Sequence, residues 1–275
     1  MKNARGTLLG SASILVTFVV FVIPFLFVVS IASKSVREAA DLAFTLPTRF
    51  VLLDNLVAVV RARDFLMVIA FINSVVLTVV SVTVLVVLGS MIAYVLQRRT
   101  GKLNVAVGLL VLAGLIVPPA VVPTIWVLQS VGLFKTMPGL ILVEIAFGLP
   151  FSILLFRAFI AGIPRELDEA ARVDGASPVR TFFQVIFPVL RSVIMTVVIL
   201  QSVAIYNDFQ NPLYFLPGTQ NATVQLTLFN FQSQFNTQYN LLFAGILLVA
   251  IPPLVMFVFF NRKIVEGMAA GSVKG

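Results

Sequence analysis

PRELDEAARVDGASPVRTFFQVIFP, residues 164–188, decides the architecture of this chain: it is a charged segment punctuated by proline and glycine, set between two long apolar runs. Its local chemistry predicts a helix-turn-helix elbow. Pro164 suits a first helical position, Glu166, Asp168 and Glu169 favour the positive end of the helix dipole, and Arg172 follows Asp168 at i+4. Gly175 permits the left-handed residue that ends a helix. Ser177-Pro178 then supplies an N-cap and first-turn proline for a second short helix through Phe182, Phe183 and Val185. Small residues (Ala170, Ala171, Gly175, Ala176) allow another surface to come close, and Leu167, Val173, Phe182 and Phe183 are candidate apolar anchors. The pattern alone fits two readings equally well, a partnerless elbow on a membrane surface and a docking element.

Working outward, the flanks are the apolar part of a chain of 275 residues that is 60% hydrophobic and 11% charged. Such a chain cannot hide its apolar surface in one soluble core and belongs in a bilayer. Uncharged runs long enough to cross roughly 30 Å at about 1.5 Å per residue predict spans at Thr7–Ser33, Phe65–Gln97 and Leu103–Val131. Three more are predicted at Met137–Ile160, Ser192–Tyr214 and Leu241–Phe260. Six spans put both termini on one side. With the N-terminus inside, thirteen of the 19 Lys and Arg fall on the inner side, including Lys2, Arg5, Arg98, Arg165, Arg172, Arg262 and Lys274. The other six, Lys34, Arg37, Arg49, Arg61, Arg63 and Lys135, fall outside. The bias places the termini and the elbow in the cytoplasm. The first uncharged run is about twice the length of a signal-peptide core, so it is expected to remain as a span.

The spacing of Glu169-Ala170-Ala171, Gly175 and Pro188 resembles the cytoplasmic EAA loop of permease subunits of ABC importers. In that family the pattern is EAA, three residues, Gly, nine residues and I-x-L-P; here it closes on Val185-Ile186-Phe187-Pro188. Glu38-Ala39-Ala40 is a decoy, with Phe44 where the glycine would stand. The resemblance runs from the second span to the end of the chain. It includes Asn73-Ser74, Tyr206-Asn207-Asp208-Phe209 and the tail Gly271 to Gly275, which is similar to the second permease subunit of maltose-type carbohydrate importers. It implies an all-α polytopic membrane protein of the bacterial plasma (inner) membrane. Six transmembrane helices would form a single permease domain over 1–275, with a cytoplasmic coupling helix inside residues 164–188. It further implies that Glu169, Ala170, Ala171, Asp174 and Gly175 contact an ATPase. The implied partners are a second permease subunit, two ATP-binding subunits, an extracytoplasmic solute-binding protein, a sugar substrate and membrane lipid.

Several chemistries are excluded by composition and motif. The chain has no Cys and no His, which removes disulfides, thiol catalysis, most zinc sites and a histidine relay. Gly101-Lys102 lacks the glycine loop of a phosphate-binding motif, so no cofactor is expected here; ATP and Mg would be bound by the partner ATPase. The scattered basic residues fit topology rather than nucleic acid. A transport subunit, not an enzyme, is the expectation.

Polar groups inside spans cost about 2.5–3.5 kcal/mol when charged and central, so they are candidate pathway residues. Asn73, Glu144, Gln201, Asn207 and Asp208 are the candidates, with Gln201 and Asp208 seven apart on one predicted face and Asn211 less closely aligned. Between Asp208 and Arg262 there is no charge, yet Gln210 to Asn240 holds eleven Asn or Gln. Amides there can hydrogen-bond hydroxyls, and Tyr214, Phe229, Phe231 and Tyr239 can stack on a sugar face. Pro118-Pro119, Pro123, Pro150 and Pro252-Pro253 are expected to interrupt helices at depth. The alternatives are an ion-coupled secondary transporter using Glu144 and Asp208, a permease for a non-sugar solute such as glycerol phosphate, and a non-transporting scaffold.

Overall fold

The computed structural model describes residue 10 and residues 13–218, 221–229 and 238–272, with the backbone alone at residue 229 and from residue 261 onward. Lys2, Arg5, Phe231, Lys274 and the ends of the first predicted span and of the tail lie outside the described residues. Among those described, the regular structure is helical. The order is α1 (Ser13–Ala32), α2 (Val36–Ala40), α3 (Leu52–Arg98), α4 (Lys102–Ile116), α5 (Val121–Ser130), α6 (Met137–Ile160), α7 (Glu166–Val173), α8 (Pro178–Val189), α9 (Arg191–Tyr206), α10 (Gln210–Phe215), α11 (Val224–Phe229) and α12 (Tyr239–Ser272).

Four helices are long and apolar enough to cross a membrane: α1, α3, α6 and α12 through Phe260. Two bent pairs, α4 with α5 and α8 with α9, bring the number to six if each pair is one span. The predicted third span is therefore broken, bent by 119° between Ile116 and Val121. Pro118 and Pro119 cause this. They remove two backbone donors, and Pro118 drives Val117 into an extended conformation (ψ 124°) that a helix cannot continue. The other prolines do not break their helices. Pro150 and Pro252-Pro253 lie inside α6 and α12, and Pro123 is in the first turn of α5.

The predicted fifth span is also subdivided. It ends as a helix at Tyr206, and a separate short helix, α10, follows. At 47 residues, α3 would run roughly 70 Å unbroken, more than twice a hydrocarbon core of about 30 Å. It is interrupted at Arg63, Asp64 and Phe65, which have φ of 49°, 54° and 60°. The apolar part beyond that break is the predicted Phe65–Gln97 span.

The chain divides into two compact units. The first, residues 1–70 and 224–252, is tied by polar side chains. Asn55 Nδ2 donates to Ala32 O at 2.8 Å and Lys34 O at 2.9 Å, and Asn240 Nδ2 donates to Asn55 Oδ1 at 2.8 Å. Lys34, which the topology count treats as a free outer charge, is buried, its Nζ donating to Ala43 O at 2.6 Å and Thr45 Oγ1 at 2.9 Å. Apolar side chains along α1, Ile14, Leu15, Phe18 and Phe21 among them, are exposed. In lipid such a surface carries no hydrophobic penalty.

The second unit, residues 71–223 and 253–275, carries the elbow. Its core joins Leu77, Leu85 and Ala93 of α3, Leu140, Val143, Phe156 and Ile160 of α6, Phe182 and Ile186 of α8, and Val193 and Val197 of α9. In a membrane, close backbone approach and buried hydrogen bonds count for more than apolar area. Gly148 of α6 supplies both: a Cβ there would lie 2.9 Å from Leu85 Cδ1 and 3.2 Å from Gln201 Oε1.

Candidate functional site

The elbow forms as its residues dictate. Gly175 takes φ 79°, and its N–H donates to Arg172 O while Ala176 N–H donates to Ala171 O at 2.9 Å. This pair of bonds closes the end of α7 in a Schellman turn. Ser177 Oγ then accepts from Arg180 N–H at 3.3 Å, with Pro178 in the first turn of α8. One detail differs from expectation. Pro164 precedes the N-cap Arg165 rather than opening the helix, because α7 begins at Glu166. Residues Thr181–Ile186 of α8 are wound as a π-helix.

The elbow has two distinct faces. Glu169, Ala170, Asp174 and Gly175 are exposed, as are Leu167, Val179 and Phe183, and Val173 is 88% exposed. Ala171 is buried and backs that surface from inside. Phe182, expected as an outward anchor, is also buried, its ring 5.3 Å from that of Tyr94. A helix period explains the split: Asp168 and Ala171, three apart, share the inner stripe. From the sequence, Asp168 reads as a helix-dipole acid with Arg172 at i+4. It sits at 5% exposure against Arg98.

The decoy Glu38-Ala39-Ala40 has a structural use. Glu38 and Ser35 form a capping box on α2, and Glu38 Oε1 accepts from Thr48 Oγ1 at 2.6 Å and from Thr48 N–H at 3.0 Å. The Thr48 hydroxyl and then its N–H hold the Glu38 carboxyl down to about 2.

Among the predicted pathway residues, three meet. Glu144, Gln201 and Asp208 line one cavity of about 290 Å³ together with Phe147, Gly148, Phe151, Ala204, Ile205 and Asn211. Asn211 Nδ2 donates to Glu144 Oε1 at 3.2 Å, which joins α10 to α6. Asp208 lies beyond the end of α9, so it shares no helical face with Gln201; the chain turns it into the same cavity. Its Oδ1 caps α10 by accepting from Gln210 N–H at 2.7 Å and Asn211 N–H at 3.2 Å. Gln201 is buried and ties α9 to α6, its Nε2 donating to Gly148 O at 3.1 Å and Ser152 Oγ at 3.0 Å. The cavity does not gather the other two. Asn73 Nδ2 donates to Ala222 O at 3.2 Å, and Asn207 Nδ2 donates to Val203 O at 2.9 Å. Among the described residues, the cavity wall includes no Lys or Arg.

Residues 85–267, which include both the elbow and this cavity, match the family described as the binding-protein-dependent transport system inner membrane component. The chain belongs to that family. It is a multi-pass membrane protein and a transport permease component. Among its relatives is the melibiose/raffinose/stachyose import permease protein MelC of Bacillus subtilis, 34% identical over 75% of this chain and 76% of that protein. The diacetylchitobiose uptake system permease protein NgcG of Streptomyces coelicolor is 30% identical over 99% of this chain and 91% of its own. The permease shares its fold with a chain of a crystallised bacterial ABC transporter involved in the import of the acidic polysaccharide alginate. The TM-score is 0.79 at 18% identity over 95% of both chains.

Sequence reasoning missed the inward roles of Asp168, Arg98 and Tyr94 in this permease, and gave Asn211 too little weight. Asp168 had a legible signal, since it stands three residues before Ala171 on one helical stripe. The pairing of α3 with the elbow had none, because it joins residues more than sixty apart.

Proposed function

We propose that this permease is the transmembrane subunit of an ATP-driven importer for a neutral di- or oligosaccharide, working as one permease domain over 1–275 with its elbow and both termini in the cytoplasm. The observation that carries the reading is the closed elbow. Its turn is locked by backbone bonds, while Glu169, Ala170, Val173, Asp174 and Gly175 present an exposed edge that the chain itself leaves uncovered. Two ATPase subunits, one for this chain and one for a second permease, would receive such edges. They would bind ATP and Mg, and a solute-binding protein would deliver substrate from the other side. Ala171 supports the contact from beneath.

Glu144, Gln201, Asp208 and Asn211 are proposed to line the pathway, and Asn73 and Asn207 to flank it. The relatives named for raffinose and diacetylchitobiose support a saccharide. The cavity argues against the anionic alternative. Among the described residues its wall carries two carboxyl groups, Glu144 and Asp208, and no Lys or Arg to hold a phosphate, whereas its amides suit hydroxyls. A secondary transporter would not need an uncovered elbow, and a scaffold would bind partners through it but move no sugar.

The test is affinity purification of the tagged chain from its native membrane, followed by uptake of labelled raffinose, trehalose, diacetylchitobiose and glycerol phosphate into proteoliposomes. Recovery of an ATPase and a second permease, with ATP-dependent uptake of a neutral sugar, is expected. A chain recovered alone, or uptake driven by an ion gradient without ATP, would overturn the reading. Loss of uptake in Glu144→Gln with the complex still assembled would assign the cavity to transport.

A further inference from the structure

Asp168 immediately precedes the exposed edge of the elbow yet points away from it. Its Oδ2 lies 3.0 Å from Arg98 Nε, as an ion contact without the alignment of a hydrogen bond. Its Oδ1 accepts from the Tyr94 hydroxyl. Both partners stand one turn apart at the end of α3, so they share one face of that helix. The same two residues reach the rest of the elbow. Arg98 Nη2 donates to Ile163 O at 3.1 Å and Pro164 O at 3.4 Å, at the entry to α7. The Tyr94 ring packs on Phe182 in the second arm, α8.

We propose that Tyr94, Arg98 and Asp168 form a latch that makes the elbow and the end of α3 one rigid body, so that motion imposed on the elbow is delivered to α3. The proposal rests on the coupling role proposed above and adds the route. Three features favour a mechanical part over a surface ornament. The Asp168 carboxylate is buried, and a buried carboxylate is held by its partners far more tightly than an exposed one. The guanidinium pairs with a carboxylate by charge through Nε and donates to two carbonyls through Nη2, which ties α7 and its entry to one side chain. Both arms of the elbow are held from one turn of one helix.

The route also leads somewhere. Leu85, on the same helix and roughly 20 Å from Arg98 at about 1.5 Å per residue, packs where Gly148 forms the wall of the polar cavity. A shift of α3 along its axis would therefore be felt at that wall. Proximity alone does not establish coupling, so the test must compare two states.

The chain has no cysteine, so spin labels can be placed on Val95→Cys, at the end of α3, and Val179→Cys, on the second arm of the elbow and outside the edge proposed to meet the ATPase. Both positions are exposed. The distance between them is measured in the purified complex without nucleotide and trapped with ATP and vanadate. Uptake per ATP hydrolysed is measured with whichever of raffinose, trehalose and diacetylchitobiose the wild type transports. In the wild type the distance should be the same in both states. In Asp168→Asn the trapped-state distribution should broaden, and uptake per ATP should fall by about tenfold, within the usual range of coupling between sites. Tyr94→Phe should lose less, and the exchange Arg98→Asp with Asp168→Arg should recover part of the loss.

A wild-type pair that separates on trapping, or an assembled Asp168→Asn complex coupled like wild type, would overturn the latch. If Asp168→Asn does not assemble, wild-type coupling in both Tyr94→Phe and Arg98→Gln would overturn it equally. Failure of the wild-type chain to bring down any ATPase would instead refute the coupling role on which the latch rests, before any variant is compared.

Discussion

Gly175 separates strain within this chain from contact with a partner. Its φ is 79°, and a Cβ built on it meets nothing within 4 Å. Within the permease, a Cβ at this position therefore costs backbone strain alone, about 1–2 kcal/mol, and it points into open space where a longer side chain can extend. That lowers the weight of the closed turn by a factor of about 5–30. Asn, which tolerates the left-handed region, should lose less. Ala and Leu should cost the same in the chain by itself. If an ATPase surface lies against the turn, Leu must lose far more than Ala, because only the partner can feel the extra carbons. The assay is co-purification of the ATPase and ATP-dependent uptake for Gly175→Asn, Gly175→Ala and Gly175→Leu. The expected order is wild type, Asn, Ala and then Leu, with Leu inactive though inserted in the membrane. Equal losses in Ala and Leu would show that nothing approaches the turn, and full uptake in Leu would refute the elbow as a coupling element.

Gly148→Val should destabilise the second unit by about 1–3 kcal/mol through overpacking, because its Cβ would press on Leu85 and displace the Gln201 amide; an unchanged thermal midpoint in detergent would show slack between α6 and α9. Asn55→Ala should cost about 1–3 kcal/mol, since Ala32 O, Lys34 O and Asn240 Nδ2 lose a buried partner; a midpoint within error of wild type would contradict this. Glu38 should titrate near 2 by carboxyl NMR and move up toward the ordinary 4.5 in Thr48→Val. Its folded value is depressed, so its contribution to the α2 cap is complete above the unfolded carboxylate range and is lost as pH falls toward 2. A Glu38 that titrates near 4.5 in the wild type would refute the Thr48 bonds.

Local chemistry was enough for the membrane class and the elbow. Bilayer length and the hydrogen-bonding demand of the backbone allow few ways to arrange runs such as Met137–Ile160, and α6 occupies that range without a change of bounds. The turn at Gly175 and the cap at Ser177 were likewise legible, because each depends on bonds between near neighbours. The double break at Pro118-Pro119 could be foreseen from missing donors, but not its 119° bend. Which proline breaks a helix was not legible: Pro150 is absorbed into α6 beside Gly114, whose absent Cβ leaves room for the ring.

The cavity was legible only in part. Glu144, Gln201 and Asp208 could be singled out as costly inside spans, but helical periodicity gave the wrong reason for pairing Gln201 with Asp208, since α9 stops between them. The sequence alone determined what must be buried in lipid, where the backbone must turn, and which residues are too polar to be there without a role. Only the tertiary structure decided that Asp168 turns inward to Arg98 and Tyr94, that Asn211 reaches Glu144, and that Glu38 serves a cap. These pairings join residues far apart in the chain, and their energies exist only once helix packing has brought the groups within hydrogen-bonding distance.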